Sequence, residues 1–237
     1  MKFAWTPNVF TLGNLTCGFV SLSFCSVDSP EGYQRAAVLI LVAVLLDGLD
    51  GQVARWLRVD SNIGKELDSL ADCVAFGVAP GYLAYRAYLV GMNVSLAGRP
   101  VDLGILLAAV FPICAAYRLA RFNVRPSSSS FVGLPSPIAG MLVSLAILCF
   151  PHGNIPMTLF AIFLPLAGFL MVSTVRYSKP QSFILKNLHG LRLAGLIILF
   201  AFLVFLFRFW LILLAALLYV ISGLVGCLIQ LIADRRY

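Results

Sequence analysis

Apolar residues run through this chain in stretches too long for a soluble core. Eight of them, at roughly 8–26, 36–56, 69–91, 103–121, 132–150, 156–174, 192–207 and 209–232, approach the ~20 residues that carry a helix across a bilayer. Short polar segments separate them, including SVDSPEGYQR at 26–35, MNVSLAGRPVD at 92–102 and FNVRPSSSSF at 122–131. The segment at 175–191, VRYSKPQSFILKNLHGL, mixes bases with aromatic and aliphatic residues, as interfacial segments do. Only Arg208 divides the last two runs. The first run carries Pro7, Asn8 and Asn14 and lacks a small-x-small cleavage site, so it reads as a retained helix rather than a secretion signal. The expectation is an all-α polytopic membrane protein with about eight transmembrane helices, forming one domain over 1–237.

Composition agrees with this pattern. The chain is 61% hydrophobic and 11% charged, with a mean hydropathy of +0.96, whereas a soluble domain is about one-quarter charged. Charge then sets the expected orientation. With the N-terminus inside, Arg35, Arg86, Arg99 and Arg208 lie on the outer side and the other thirteen Lys and Arg on the inner. The positive-inside rule therefore predicts cytoplasmic termini. The net charge of +7 is scattered over helix ends, which suits anionic lipid and argues against a nucleic-acid partner. The six cysteines form no CxxC pair and sit in apolar segments, where they read as packing residues. His152 and His189 read as ordinary polar loop residues.

The acidic residues change the picture. Asp28, Glu31, Asp60, Glu66, Asp102 and Asp234 fall in loops or at ends, where solvation or capping accounts for them. Asp47, Asp50, Asp68 and Asp72 do not. The first two are three residues apart and the last two four apart, so each pair shares one face of a helix. Two helices joined by a short turn aim all four carboxylates at one point, on the predicted cytoplasmic side. Unscreened, they would repel strongly. Mg²⁺ and Mn²⁺ prefer oxygen ligands, and a bridged pair of such ions favours displacement at phosphorus. Gly48, Gly51 and Gly64 beside the cluster would let a bulky ligand approach the backbone, and Arg55 offers a planar fork to phosphate oxygens. Two other readings fit the spacing: a carboxylate path for protons or ions, and structural pairing with small-residue helix contacts.

Written as a pattern, residues 47–72 are D-x2-DG-x2-AR-x8-G-x3-D-x3-D. This resembles the signature of the CDP-alcohol phosphotransferase family, with every position filled. PNVFTLGN at 7–14 is similar to the segment that opens the first helix in many members, although Asn14 stands where glycerol-phosphate-using relatives often have arginine. RLARFNV at 118–124, FVGLPSPIAG at 131–140 and LMVSTVRYSKPQSF at 170–183 resemble the branch that makes phosphatidylserine. These motifs cover about residues 7 to 183.

The resemblance implies a six-helix core, here within 1–190, with two additional C-terminal helices in 191–237, and a homodimer in a prokaryotic cell membrane with its site facing the cytoplasm. It implies two divalent cations, Mg²⁺ or Mn²⁺, held by Asp47, Asp50, Asp68 and Asp72, with Asp72 also the general base. Asn8, Thr11, Gly51, Ala54, Arg55 and Gly64 would bind the CDP-lipid. The implied substrates are CDP-diacylglycerol and L-serine. Arg118 and Arg121 would take the serine carboxylate, with hydrogen bonds from Asn123 and Ser136, unless they are only charge anchors at a helix end. No ammonium partner stands out. Gly133, Pro135 and Pro137 would break the chain beside the pocket. Other acceptors (glycerol 3-phosphate, inositol phosphate, choline), an ether-lipid donor, or an ion or proton transporter are the alternatives.

Overall fold

A computed structural model of the chain describes residues 6–57, 62–96, 98–124, 131–151, 154–177 and 209–234. Helix α1 (Thr6–Ser26) and α2 (Pro30–Leu57) form an antiparallel hairpin. Pro30 opens α2, where a missing amide hydrogen costs nothing, and Ser29 Oγ accepts from the Gly32 N–H at 3.1 Å. A Cβ at Gly32 would lie 2.7 Å from the Val27 carbonyl oxygen, so the tight turn needs glycine.

The third apolar run is helical from Asn62 onward, earlier than hydropathy predicts, because its first turns are polar. Helix α3 (Asn62–Cys73) passes through a π turn (Val74–Val78), α4 (Ala79–Ala84) and a second π turn (Tyr85–Leu89). Pro80 removes one amide donor from this run, and the wide turns close by bonds from Ala79 N–H to the Val74 carbonyl and from Val90 N–H to that of Tyr85. A Cβ on Gly77 would stand 3.0 Å from Ala115 Cβ; small residues set this close helix crossing.

Helix α5 (Leu103–Val124) follows, then α6 (Ser136–Cys149), α7 (Met157–Val172) and α8 (Phe209–Asp234). Two expected loops contain ladders instead. Strands β1 (Asn93–Leu96) and β2 (Arg99–Asp102) form a hairpin, with Gly98 at φ 76°. Asp102 then caps α5, accepting from Ile105 N–H at 3.2 Å and from the Tyr85 hydroxyl at 2.6 Å; the Tyr85 bond holds its carboxyl below the usual range. Strands β3 (Phe131–Val132) and β4 (Arg176–Tyr177) pair before α6 and after α7.

Among the described residues, four helical stretches, Asn8–Ser26, Pro30–Val53, Leu103–Val124 and Phe209–Ile229, are long and apolar enough to cross a membrane, and α6 and α7 are shorter apolar helices. The predicted span at 192–207 lies outside the described residues, as do His152 and His189. Phe76, Phe111, Leu134, Phe160 and Met171 fill the core. Phe19, Leu45, Ile113, Ile162 and Ile229 face outward and are exposed, as expected where the solvent is lipid. The architecture is that of a helical membrane protein.

Candidate active site

The helical period places Asp47 and Asp50 on one face of α2, and Asp68 and Asp72 on one face of α3. The fold brings the two faces together. One carboxylate oxygen from each of Asp47, Asp50 and Asp68 lies within 4.8 Å of the other two, and Asp72 abuts Asp47 within side-chain hydrogen-bonding reach. Asp50 and Asp72 are each only 7% exposed. Helix α1 supports both: Thr11 Oγ1 donates to Asp50 Oδ2 at 3.1 Å, and Asn14 Nδ2 donates to Asp72 Oδ1 at 3.1 Å.

Asp68 Oδ1 is buried with no hydrogen-bond partner. A bare carboxylate oxygen is costly inside a protein, and a bound cation would satisfy it. Among the described residues the donors here are all carboxylate oxygens, a set that fits hard divalent cations.

Beside the cluster opens a cavity of about 690 Å³. Asp47, Asp68 and Asp72 border it from one side, Arg118, Phe122 and Asn123 of α5 from another, and Pro135 and Pro137 from the start of α6. Asn62, Lys65, Glu66 and Ser69 extend the α3 wall. Arg118 is 7% exposed and donates through Nη1 to Ser136 Oγ at 2.9 Å, while its Nε has no partner. The residue borders the cavity, and a guanidinium carries several donors suited to an anion.

Arg121, expected beside Arg118, goes elsewhere. It donates to the carbonyls of Val172 at 2.7 Å and Val132 at 3.0 Å, and to those of Met171 and Ser173 at 3.4 Å. It thereby ties the end of α7 to β3, and it does not border the cavity. Gly133 makes this contact possible: its φ is +80°, and a Cβ there would lie 2.1 Å from the Met171 carbonyl oxygen. The predicted break before α6 is thus a closed seam, with Gly133 N–H bonded to Val175 O and Leu134 N–H to Leu170 O.

The remaining expected residues fall as follows. Asn8 is half-buried one turn before Thr11 on α1, and Gly64 lies in the first turn of α3. A Cβ at position 48 or 51 would meet no neighbouring element within 4 Å among the described residues. The side chains of Ala54 and Arg55 lie outside the described residues. Asn123 Nδ2 donates to Ser69 Oγ at 3.0 Å and to Glu66 Oε2 at 3.5 Å. Sequence spacing did not assign Asn14 or Glu66 to the site. The signals for Asn14 are its place three residues after Thr11, on the same face of α1, and its position in the PNVFTLGN segment.

Comparison with known proteins bears on this geometry. Residues 4–177 match the family model for CDP-alcohol phosphatidyltransferase. The chain is 41% identical over 209 residues to a CDP-diacylglycerol–serine O-phosphatidyltransferase of Helicobacter pylori, covering 84% of this chain and 81% of that protein. To a protein of the same name in Bacillus subtilis it is 37% identical over 190 residues, 78% of this chain and 97% of that one. To an archaetidylserine synthase of Methanothermobacter thermautotrophicus it is 34% identical over 185 residues, 75% and 71%. The match over most of the chain, with the aspartate cluster inside it, shows that this protein belongs to the CDP-alcohol phosphatidyltransferase family.

Proposed function

We infer that the protein transfers the phosphatidyl group of CDP-diacylglycerol to the hydroxyl of L-serine, giving phosphatidylserine and CMP. The observation that carries this reading is the cavity that joins the aspartate cluster to the guanidinium-bearing Arg118. One end suits a metal-bound pyrophosphate and the other the carboxylate of a small acceptor. The names of the Helicobacter and Bacillus relatives support the same substrates.

Asp47, Asp50, Asp68 and Asp72 would hold two divalent cations, Mg²⁺ or Mn²⁺, which supply charge neutralisation to the pyrophosphate and its leaving oxygen. The chain's own groups do the rest. Arg118, braced by Ser136, binds the serine carboxylate, and Asn123 borders the same space. Asp72, with Oδ1 fixed by Asn14, accepts the proton of the serine hydroxyl. The hydroxyl oxygen bonds to the lipid-proximal phosphorus as the bond to the bridging oxygen breaks, and CMP departs with that oxygen. Asn8, Thr11, Gly51, Ala54, Arg55 and Gly64 form the CDP-lipid side. Arg121 acts at one remove, holding the seam from which Ser136 reaches Arg118. The positive-inside bias supports the cytoplasmic face for this chemistry, and the family resemblance supports a homodimer.

An ether-linked donor is the second reading, favoured by the archaetidylserine synthase relative. The test is CMP release by the purified protein given either donor, Mn²⁺ or Mg²⁺, and a panel of alcohols. Release that needs both metal and L-serine supports the reading. Release with glycerol 3-phosphate or inositol phosphate instead reassigns the acceptor. No release with any acceptor rejects transfer and turns attention to ion flux in vesicles.

A further inference from the structure

On the serine reading, the aspartates and Arg118 account for the phosphate and carboxylate ends of the reaction but leave the α-ammonium unmatched. An ammonium carries three donors and no acceptor, so leaving water for the cavity is costly unless an oxygen receives it. Among the described residues, the cavity wall carries one further carboxylate outside the aspartate cluster, that of Glu66. It lies one turn before Ser69 on α3, and Asn123 of α5 reaches across to both, at 3.0 Å to Ser69 Oγ and 3.5 Å to Glu66 Oε2. Ser69 Oγ is itself tied to the Lys65 carbonyl at 3.1 Å. The Glu66 carboxylate is therefore drawn against the same α5 helix that presents Arg118.

We propose that Glu66, oriented by Asn123, accepts the α-ammonium of the amino-acid acceptor and so selects a zwitterion over a hydroxy acid or a phosphorylated alcohol. The inference rests on the serine reading above. A carboxylate for the ammonium and a guanidinium for the carboxylate, on different helices of one cavity, would grip both charges and leave the hydroxyl directed at the aspartates. Lys65 borders the same wall; if it were the group that Glu66 serves, discrimination for the ammonium would not depend on Glu66.

The test pairs Glu66→Gln with 3-hydroxypropanoate, which is serine without its ammonium. CMP release is followed for both acceptors with the wild type and the variant. Where 3-hydroxypropanoate does not turn over, its inhibition constant against serine replaces its kcat/KM. Glu66 is exposed, so the amide fits without disturbing the core. Losing one charge-assisted hydrogen bond is expected to lower kcat/KM for serine about tenfold. The preference for serine over 3-hydroxypropanoate should fall by the same factor, and Glu66→Asp should restore part of it. An unchanged preference, or equal losses on both acceptors, overturns the proposal. No release from the wild type with serine would instead remove the serine reading beneath it.

Discussion

Asn14 donates its side-chain amide to Asp72 Oδ1 at 3.1 Å, linking α1 to α3 across 58 residues of sequence. Both residues are buried, and the Asn14 oxygen has no hydrogen-bond partner. The contact fixes one oxygen of Asp72 and so orients the carboxylate within the cluster. Asn14→Ala is expected to lower kcat by roughly tenfold to a hundredfold through loss of orientation, with little change in the KM of the CDP-lipid. Steady-state kinetics check this; a change confined to the lipid KM would assign Asn14 to donor binding.

Asp72→Asn removes the proton acceptor while keeping the shape. Turnover should fall at least about a hundredfold, while a titration with CDP-diacylglycerol still shows binding. Equal loss of binding would make Asp72 chiefly a metal ligand.

The two arginines of α5 should separate cleanly. Arg118→Lys keeps a charge but loses the planar fork, and should raise the serine KM by about tenfold or more. Arg121→Ala should act on the seam it clamps, costing about 2–3 kcal/mol for a charged donor removed from several carbonyls. Hydrogen exchange would then show faster exchange of the Gly133 and Leu134 amides, which are bonded to Val175 and Leu170. A selective rise in serine KM with unchanged protection would return Arg121 to the acceptor site.

Chelation should stop CMP release, and Mn²⁺ or Mg²⁺ should restore it. Asp68, with its unpartnered buried oxygen, should be sensitive: Asp68→Asn is expected to raise the metal concentration for half-activation at least about tenfold. An unchanged metal requirement would move the cations elsewhere.

Gly133→Ala should destabilise the fold by about 1–3 kcal/mol or more, because φ is +80° and the new Cβ would collide with the Met171 carbonyl. Thermal unfolding in detergent measures this; an unchanged midpoint would mean that the seam rearranges freely.

Much of this protein is legible along the chain. Runs of apolar residues mark the helices, because bilayer thickness and a rise of 1.5 Å per residue set their length. Spacings of three and four gather each pair of aspartates on one face, because the helix repeats every 3.6 residues. Those are local periodicities, and a sequence carries them openly. The tertiary structure decided what the spacings leave unspecified. Arg118 and Arg121 share a helix and a motif, yet one borders the cavity and the other clamps backbone carbonyls, because β3 and the end of α7 converge on only one of them. Asn14 meets Asp72, and Asn123 meets Glu66 and Ser69, through contacts 54 to 58 residues apart. Such pairings depend on which helices cross and at what rotation. That is set by close packing at small residues such as Gly77 against Ala115, and no periodicity along a single chain records it.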